Sequence, residues 1–179
     1  YSIKKDSMGA FTNLPLKKSM IENLKTMGYR EMTPVQEKSL PHVLGGEDLL
    51  VQAKTGSGKT AAFGIGLLHN LKVKRFRVQA LVMCPTRELA DQVAVEIRRI
   101  ARYQHNIKIV TICGGMPFLP QQISLEHQAH IVVGTPGRIE QHLKRGTMNL
   151  DNVTTLVLDE ADRMLDIGFA DSIDAIMGY

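Results

Sequence analysis

Short runs of aliphatic and β-branched residues alternate along this chain with longer segments in which apolar residues recur every three or four positions. The runs are residues 48–53 (DLLVQA), 79–84 (QALVMC), 108–113 (KIVTIC), 130–133 (HIVV) and 154–159 (TTLVLD). Most are continuously apolar rather than alternating, as expected of parallel strands covered on both faces. Between them, Leu89, Val93, Ile97 and Ile100 form one apolar stripe of a helix. Two helices are predicted ahead of the first run. Residues 15–27 carry Leu16, Met20, Leu24 and Met27 on one face and stop at Gly28, and a second helix opens with Thr33 as N-cap and Pro34 at its first position. The pattern predicts an α/β fold with a mostly parallel sheet and helices on both faces.

In such sheets ligands bind beyond the carboxyl ends of the strands. The chemically unusual residues fall at those ends: AKTGSGKT after the first run, PTRE after the second, GG after the third, TPGR after the fourth and DEAD after the fifth.

Ala53, Lys54, Thr55, Gly56, Ser57, Gly58, Lys59 and Thr60 follow a predicted strand and open a predicted helix. Gly56 and Gly58 let the backbone wrap so that successive N–H groups and the helix N-terminus face an anion. Lys59 adds charge for the β- and γ-phosphates of a nucleotide, and the Thr60 hydroxyl can ligate Mg²⁺. The usual P-loop begins with glycine, where this chain has Ala53. Asp159 at the tip of the fifth run can hold the same Mg²⁺, partly through water, and Glu160 can orient and deprotonate the attacking water. Alone, such an acidic pair reads as a helix cap. With a P-loop upstream, catalysis is the better reading. Asp162 reads as a surface charge.

At this point the sequence resembles the N-terminal RecA-like domain of DEAD-box ATP-dependent RNA helicases, over residues 11 to about 169. The stretches QAKTGSGKTAAFG, CPTRELADQV, CGG-x-PF and DEADRMLD look most like the bacterial DbpA type, which acts on ribosomal RNA. The alanine at position 53 is then the family's own pattern. The resemblance implies that residues 28–36 form the Q motif within a region of about 9–37, with Gln36 reading the adenine edge and Phe11 or Tyr29 stacking on the base. Read from the residues alone, Thr33-x-x-Gln36 is equally a capping box. The resemblance further implies that Pro85, Thr86, Arg87, Gly114, Gly115, Thr135, Pro136, Gly137 and Arg138 face RNA. Their hydroxyls, backbone amides and guanidinium groups suit a sugar–phosphate track rather than base edges. Each motif is also an ordinary strand-to-helix turn, and Arg87 can pair with a carboxylate instead.

The 179 residues argue for one domain, and 44% hydrophobic content supports a sizeable core. With 22 Lys and Arg against 18 Asp and Glu the net charge is +4, which permits a polyanionic partner without demanding one. The basic clusters Lys72, Lys74, Arg75, Arg77 and Arg98, Arg99, Arg102 read as solvated surface. Cys84 and Cys113 read as small buried apolar residues, and the six histidines show no metal spacing. No run approaches the ~18 apolar residues of a membrane span, and residues 1–14 lack the apolar core of a secretory signal. The chain begins with Tyr rather than Met. The expectations are a cytoplasmic monomer using ATP and Mg²⁺, with RNA as partner. A Ser-Ala-Thr strand and a second RecA-like domain of the same protein are expected beyond residue 179. The competing reading is an ATP-gated RNA clamp without essential unwinding.

Overall fold

The computed structural model describes residues 9–179, so residues 1–8 of the leader reading lie outside it. The chain divides into two compact units. One holds the residues up to Asn70 together with Glu96–His105, and the other holds Leu71–Val95 and Asn106–Tyr179.

The first unit is helical. A 3-10 turn (Phe11–Asn13) precedes α1 (Lys18–Thr26), α2 (Pro34–Leu44) and α3 (Lys59–His69). Helix α1 buries Met20 and Leu24 as the periodicity predicts, and the chain leaves it through Gly28 at φ +88°. It starts at Lys18 rather than Pro15. The Asn23 amide donates to the carbonyls of Arg99 and Ile100 at 3.0 and 2.9 Å, closing the end of α4 (Arg87–Ile100). Helices α2 and α3 approach so closely that a Cβ on Gly66 would stand 2.1 Å from Val43 Cγ1. Any side chain there would force the pair apart.

Residues 48–53 form no strand, contrary to the sequence reading: no ladder includes them, and Leu50 is 97% exposed. A continuous apolar run satisfies its backbone as a strand only beside another strand. Among the described residues none pairs with it.

The second unit carries the sheet. Strands β1 (Ala80–Met83), β2 (Ile109–Ile112), β3 (Ile131–Gly134) and β4 (Thr155–Leu158) lie in the order β2-β3-β1-β4, all parallel. These four match the predicted runs to within two residues at either end. Leu81, Met83, Ile112 and Val132 pack with Leu125 of α5 (Phe118–Glu126), Ile139 and Leu143 of α6 (Pro136–Lys144), Met164 of α7 (Ala161–Ile167) and Ile176 of α8 (Ala170–Met177). The alternate residues Ala80, Val82, Ile131 and Val133 are equally buried, so both faces of the central strands are covered. Edge strand β4 is only half-buried and ends in the exposed Leu158. At Gly134 a Cβ would meet the Ile112 carbonyl oxygen at 2.1 Å, so β2 and β3 require glycine there. Among the described residues no helix is long and apolar enough to cross a membrane.

Candidate active site

In the first unit, residues 55–58 turn into α3 through Gly56 at φ +83° and Gly58 at φ +89°. Glycine adopts this left-handed region without the penalty a Cβ brings. Gly58 is the N-cap of α3. The first N–H groups of a helix have no acceptor within it, so they and the positive end of its dipole face whatever lies before the turn. Ser57 Oγ is buried and lacks a hydrogen-bond partner. Such orphans are rare, and this one sits in a turn where an anionic oxygen would satisfy it. Lys59 and Thr60 are half-buried at the first two positions of α3. Backbone amides and the Ser57 hydroxyl at the turn, with a lysine and a threonine at the next two positions, are a donor set that fits a polyphosphate, and a Thr60 hydroxyl is a hard oxygen suited to Mg²⁺.

Gln36 is buried and closes the capping box. The Thr33 N–H donates to Gln36 Oε1 at 2.9 Å, and the Gln36 N–H donates to Thr33 Oγ1 at 3.4 Å. In addition, Gln36 Nε2 donates to the Gly58 carbonyl at 3.0 Å, so one side chain fastens the start of α2 to the start of α3. An amide has two acceptor sites and two donor hydrogens, and one of each remains. Phe11 is buried, and the half-buried Tyr29 donates its phenol to Glu96. Burial, then the bond to Glu96, raises the Tyr29 hydroxyl to about 12.

In the second unit, Asp159 follows β4, is 4% exposed, and is anchored by its N–H donating to the Met83 carbonyl at 2.9 Å. Glu160 stands at φ +53° and ψ +53°, at the N-cap position of α7, with its carboxylate 3.4 Å from Arg163 Nη1. A non-glycine residue held in that region costs on the order of 1–3 kcal/mol and persists only where its surroundings dictate it. Asp162 accepts from the Arg163 N–H at 2.9 Å, in keeping with a surface role. Beside the acids, burial pushes the Cys84 thiol up, and the carboxylate of Asp159 adds to it.

The loops beyond β1, β2 and β3 are cross-braced. Pro85 is buried, and Thr86 Oγ1 accepts from the Leu89 N–H at 3.3 Å as a helix cap does. The exposed Arg87 reaches Met116 Sδ at 3.4 Å and lies 3.9 Å from Glu88. Gly114 and Gly115 are exposed, Gly115 at φ +75°. Thr135 does not cap its own helix; its Oγ1 accepts from the Gly114 N–H at 3.0 Å, joining two of the loops. Pro136 and Gly137 begin α6 and aim Arg138 at the β2 loop. There its Nη1 donates to the Met116 carbonyl at 2.7 Å and to Gln121 Oε1 at 3.0 Å.

Sequence reasoning missed the residues that complete this bracing. Gln121 Oε1 also accepts from His142 Nε2 at 3.0 Å, and its Nε2 donates to the Cys113 carbonyl at 2.9 Å. His142 Nδ1 lies 2.7 Å from Thr147 Oγ1. The His142 ring stacks on Phe118 at 4.0 Å, and Arg145 covers that phenyl at 4.3 Å. Burial, then the charges of Arg138 and Arg145, lowers His142 to about 4, so the ring is neutral. No spacing rule flags a lone Gln and a lone His on different helices.

The DEAD/DEAH box helicase family model matches residues 33–179. The chain belongs to this family. It is 57% identical over 96% of its length to the ATP-dependent RNA helicase DbpA of Escherichia coli, and 46% identical over 95% to the ATP-dependent RNA helicase CshA of Listeria monocytogenes. The likeness to the DbpA type read from the sequence is thus matched. A DEAD box protein from the hyperthermophile Methanococcus jannaschii superimposes with a TM-score of 0.90 at 42% identity, over 95% of this chain and 46% of that one. The chain spans 38% and 32% of the lengths of the two curated relatives. As a DEAD/DEAH box chain it has a RecA-like fold.

Proposed function

We propose that this DEAD/DEAH box chain is the ATP-binding, N-terminal RecA-like half of an RNA-stimulated ATPase that separates short RNA duplexes, acting in ribosomal RNA remodelling. The observation that carries the reading is the phosphate turn, with two left-handed glycines, a helix N-terminus behind them and the orphaned Ser57 hydroxyl inside. Lys59 would neutralise the β- and γ-phosphates, Thr60 would offer Mg²⁺ a hydroxyl and Asp159 a carboxylate, and the ion would supply positive charge against the charge developing in the reaction. Glu160 accepts a proton from the attacking water, a role that fits its enforced backbone conformation. Gln36 keeps one acceptor and one donor for the adenine edge, a bidentate match to N6 and N7. Phe11 or Tyr29 supplies a ring beside the base.

The braced loops grip an RNA strand through its backbone, with 2′-hydroxyl contacts selecting RNA over DNA. A second RecA-like domain of the same protein completes the track and supplies arginine to the γ-phosphate. Closure of the two around ATP and RNA pries the duplex apart, and hydrolysis reopens them. The protein works in the cytoplasm, as a monomer.

The deciding experiment measures ATP hydrolysis by the full-length protein with RNA, with DNA of the same sequence, and with neither. Stimulation by RNA alone, abolished by Glu160→Gln while nucleotide binding persists, is the expected result. Equal stimulation by DNA, or full activity in Glu160→Gln, refutes the reading.

A further inference from the structure

Residues 72–77 read KVKRFR and run directly into β1 at its amino end. Lys72, Lys74, Arg75, Phe76 and Arg77 are all exposed. The four cations equal the chain's entire net charge of +4. Among the described residues, the ion pairs engage other cations, so none of these four is neutralised by a carboxylate.

A merely solvated loop needs no internal scaffold, and this one has an elaborate one. Buried Gln79 accepts from the Lys72 N–H at 2.9 Å and donates to the carbonyls of Lys72 and Arg75 at 3.0 and 2.8 Å. His130, fully buried, completes it. Its Nδ1 accepts from the Lys108 N–H at 3.0 Å, so Nε2 carries the proton and donates to the Val73 carbonyl at 2.8 Å. The Arg75 and Arg77 N–H groups close two turns within the loop, onto Lys72 and Arg75. The Phe76 ring leans on His130 with centroids 5.0 Å apart, which fixes its direction while leaving it 37% exposed between two arginines.

We propose that this loop is a second RNA-binding site: a rigid platform on which Phe76 stacks a base while Lys72, Lys74, Arg75 and Arg77 hold the phosphates on either side of it. Cations flanking an aromatic face bind single strands without reading sequence. Bare polyanions and membranes have no base for Phe76, and that separates them from RNA as the occupant. The platform lies at the amino end of β1, whereas Pro85, Thr86 and Arg87 lie beyond its carboxyl end. The intervening strand, four residues long, sets them at least about 13 Å apart at about 3.3 Å per residue. The site therefore engages single-stranded RNA flanking the segment held at the carboxyl edge, and it rests on the chain being an RNA-binding protein.

The test titrates a fluorescent 20-mer oligouridylate, and separately dextran sulfate, against the chain at several KCl concentrations without nucleotide. The triple variant Lys74→Gln/Arg75→Gln/Arg77→Gln is expected to make the salt dependence of oligouridylate binding shallower by about 2 in log–log slope. Phe76→Ala is expected to weaken oligouridylate binding roughly tenfold and leave dextran sulfate unchanged. All four substituted residues are exposed, and unchanged circular dichroism checks the fold. An unaltered slope, indifference to Phe76→Ala, or absence of oligouridylate binding at low salt overturns the proposal. Binding of a fluorescent ADP, lost in Lys59→Ala but retained in the triple variant, reads the nucleotide site separately, so failure of one reading is not mistaken for failure of the other.

Discussion

At Gly58 three demands meet on one Cα. Its φ of +89° excludes a relaxed side chain, and a Cβ would stand 2.5 Å from Gln36 Nε2 and 2.7 Å from Thr33 Oγ1. Its carbonyl also accepts the bond that ties α2 to the phosphate turn. Gly58→Ala is therefore expected to destabilise the chain by more than ~1 kcal/mol and to weaken fluorescent-ADP binding at least as much as Gln36→Ala does. Thermal melting and a nucleotide titration check both, and a melting curve superimposable on wild type contradicts the geometry. The residue scale also shows what letters conceal. Thr33-x-x-Gln36 admitted two readings, and the structure forms the capping box while leaving half of the amide's hydrogen-bonding capacity for another partner.

Among elements, the brace linking the β2 loop, α5 and α6 has a pH signature. His142 is lowered to about 4, whereas in the unfolded chain an imidazole titrates near 6.5. Above about 6.5 both states are neutral and the brace contributes fully. As pH falls from there toward 4 the unfolded chain takes up a proton that the folded ring does not, and stability drops. Melting temperature is expected to fall over this window, and to fall less steeply in His142→Gln despite that variant's lower starting stability. Parallel slopes would remove His142 as the cause.

The strand ends carry a second expectation. Cys84 and Cys113 are buried as their apolar setting predicts. Burial raises both thiols, Cys113 to about 11, so neither is a thiolate at neutral pH. Iodoacetamide at pH 8 is expected to label them far more slowly than in urea, as read by mass spectrometry. Comparable labelling rates would show that the carboxyl edge of the sheet opens readily.

For the molecule as a whole, the chain spans well under half of its relatives, and the proposed arginine of a second RecA-like domain lies outside it. The isolated chain is expected to bind nucleotide yet hydrolyse ATP ~10³–10⁵ times more slowly than the full-length protein, the range associated with a lost arginine finger. Turnover at the intact rate, abolished by Lys59→Ala, would mean that these residues suffice by themselves. Charge at this scale is also informative: a net +4 says little until one asks where it sits, and an amount equal to it lies in one scaffolded loop.

What the sequence determined by itself was everything that depends on local periodicity and on spacing along the chain. It specified the four runs that became β1 to β4, the stripe of α4, the Thr33–Pro34 helix start, and the glycines whose left-handed turns lead into α3. These follow from short-range sterics and from which side chains avoid water, and both are written in neighbouring letters. The tertiary structure alone decided which apolar run found a partner, leaving residues 48–53 outside any ladder. It also decided that Arg138 clasps Met116 and Gln121, and that Gln79 and His130 support a basic loop. The Arg138 and His130 bonds join residues 17 to 57 positions apart, and such a bond exists only once the chain has brought donor and acceptor within about 3 Å.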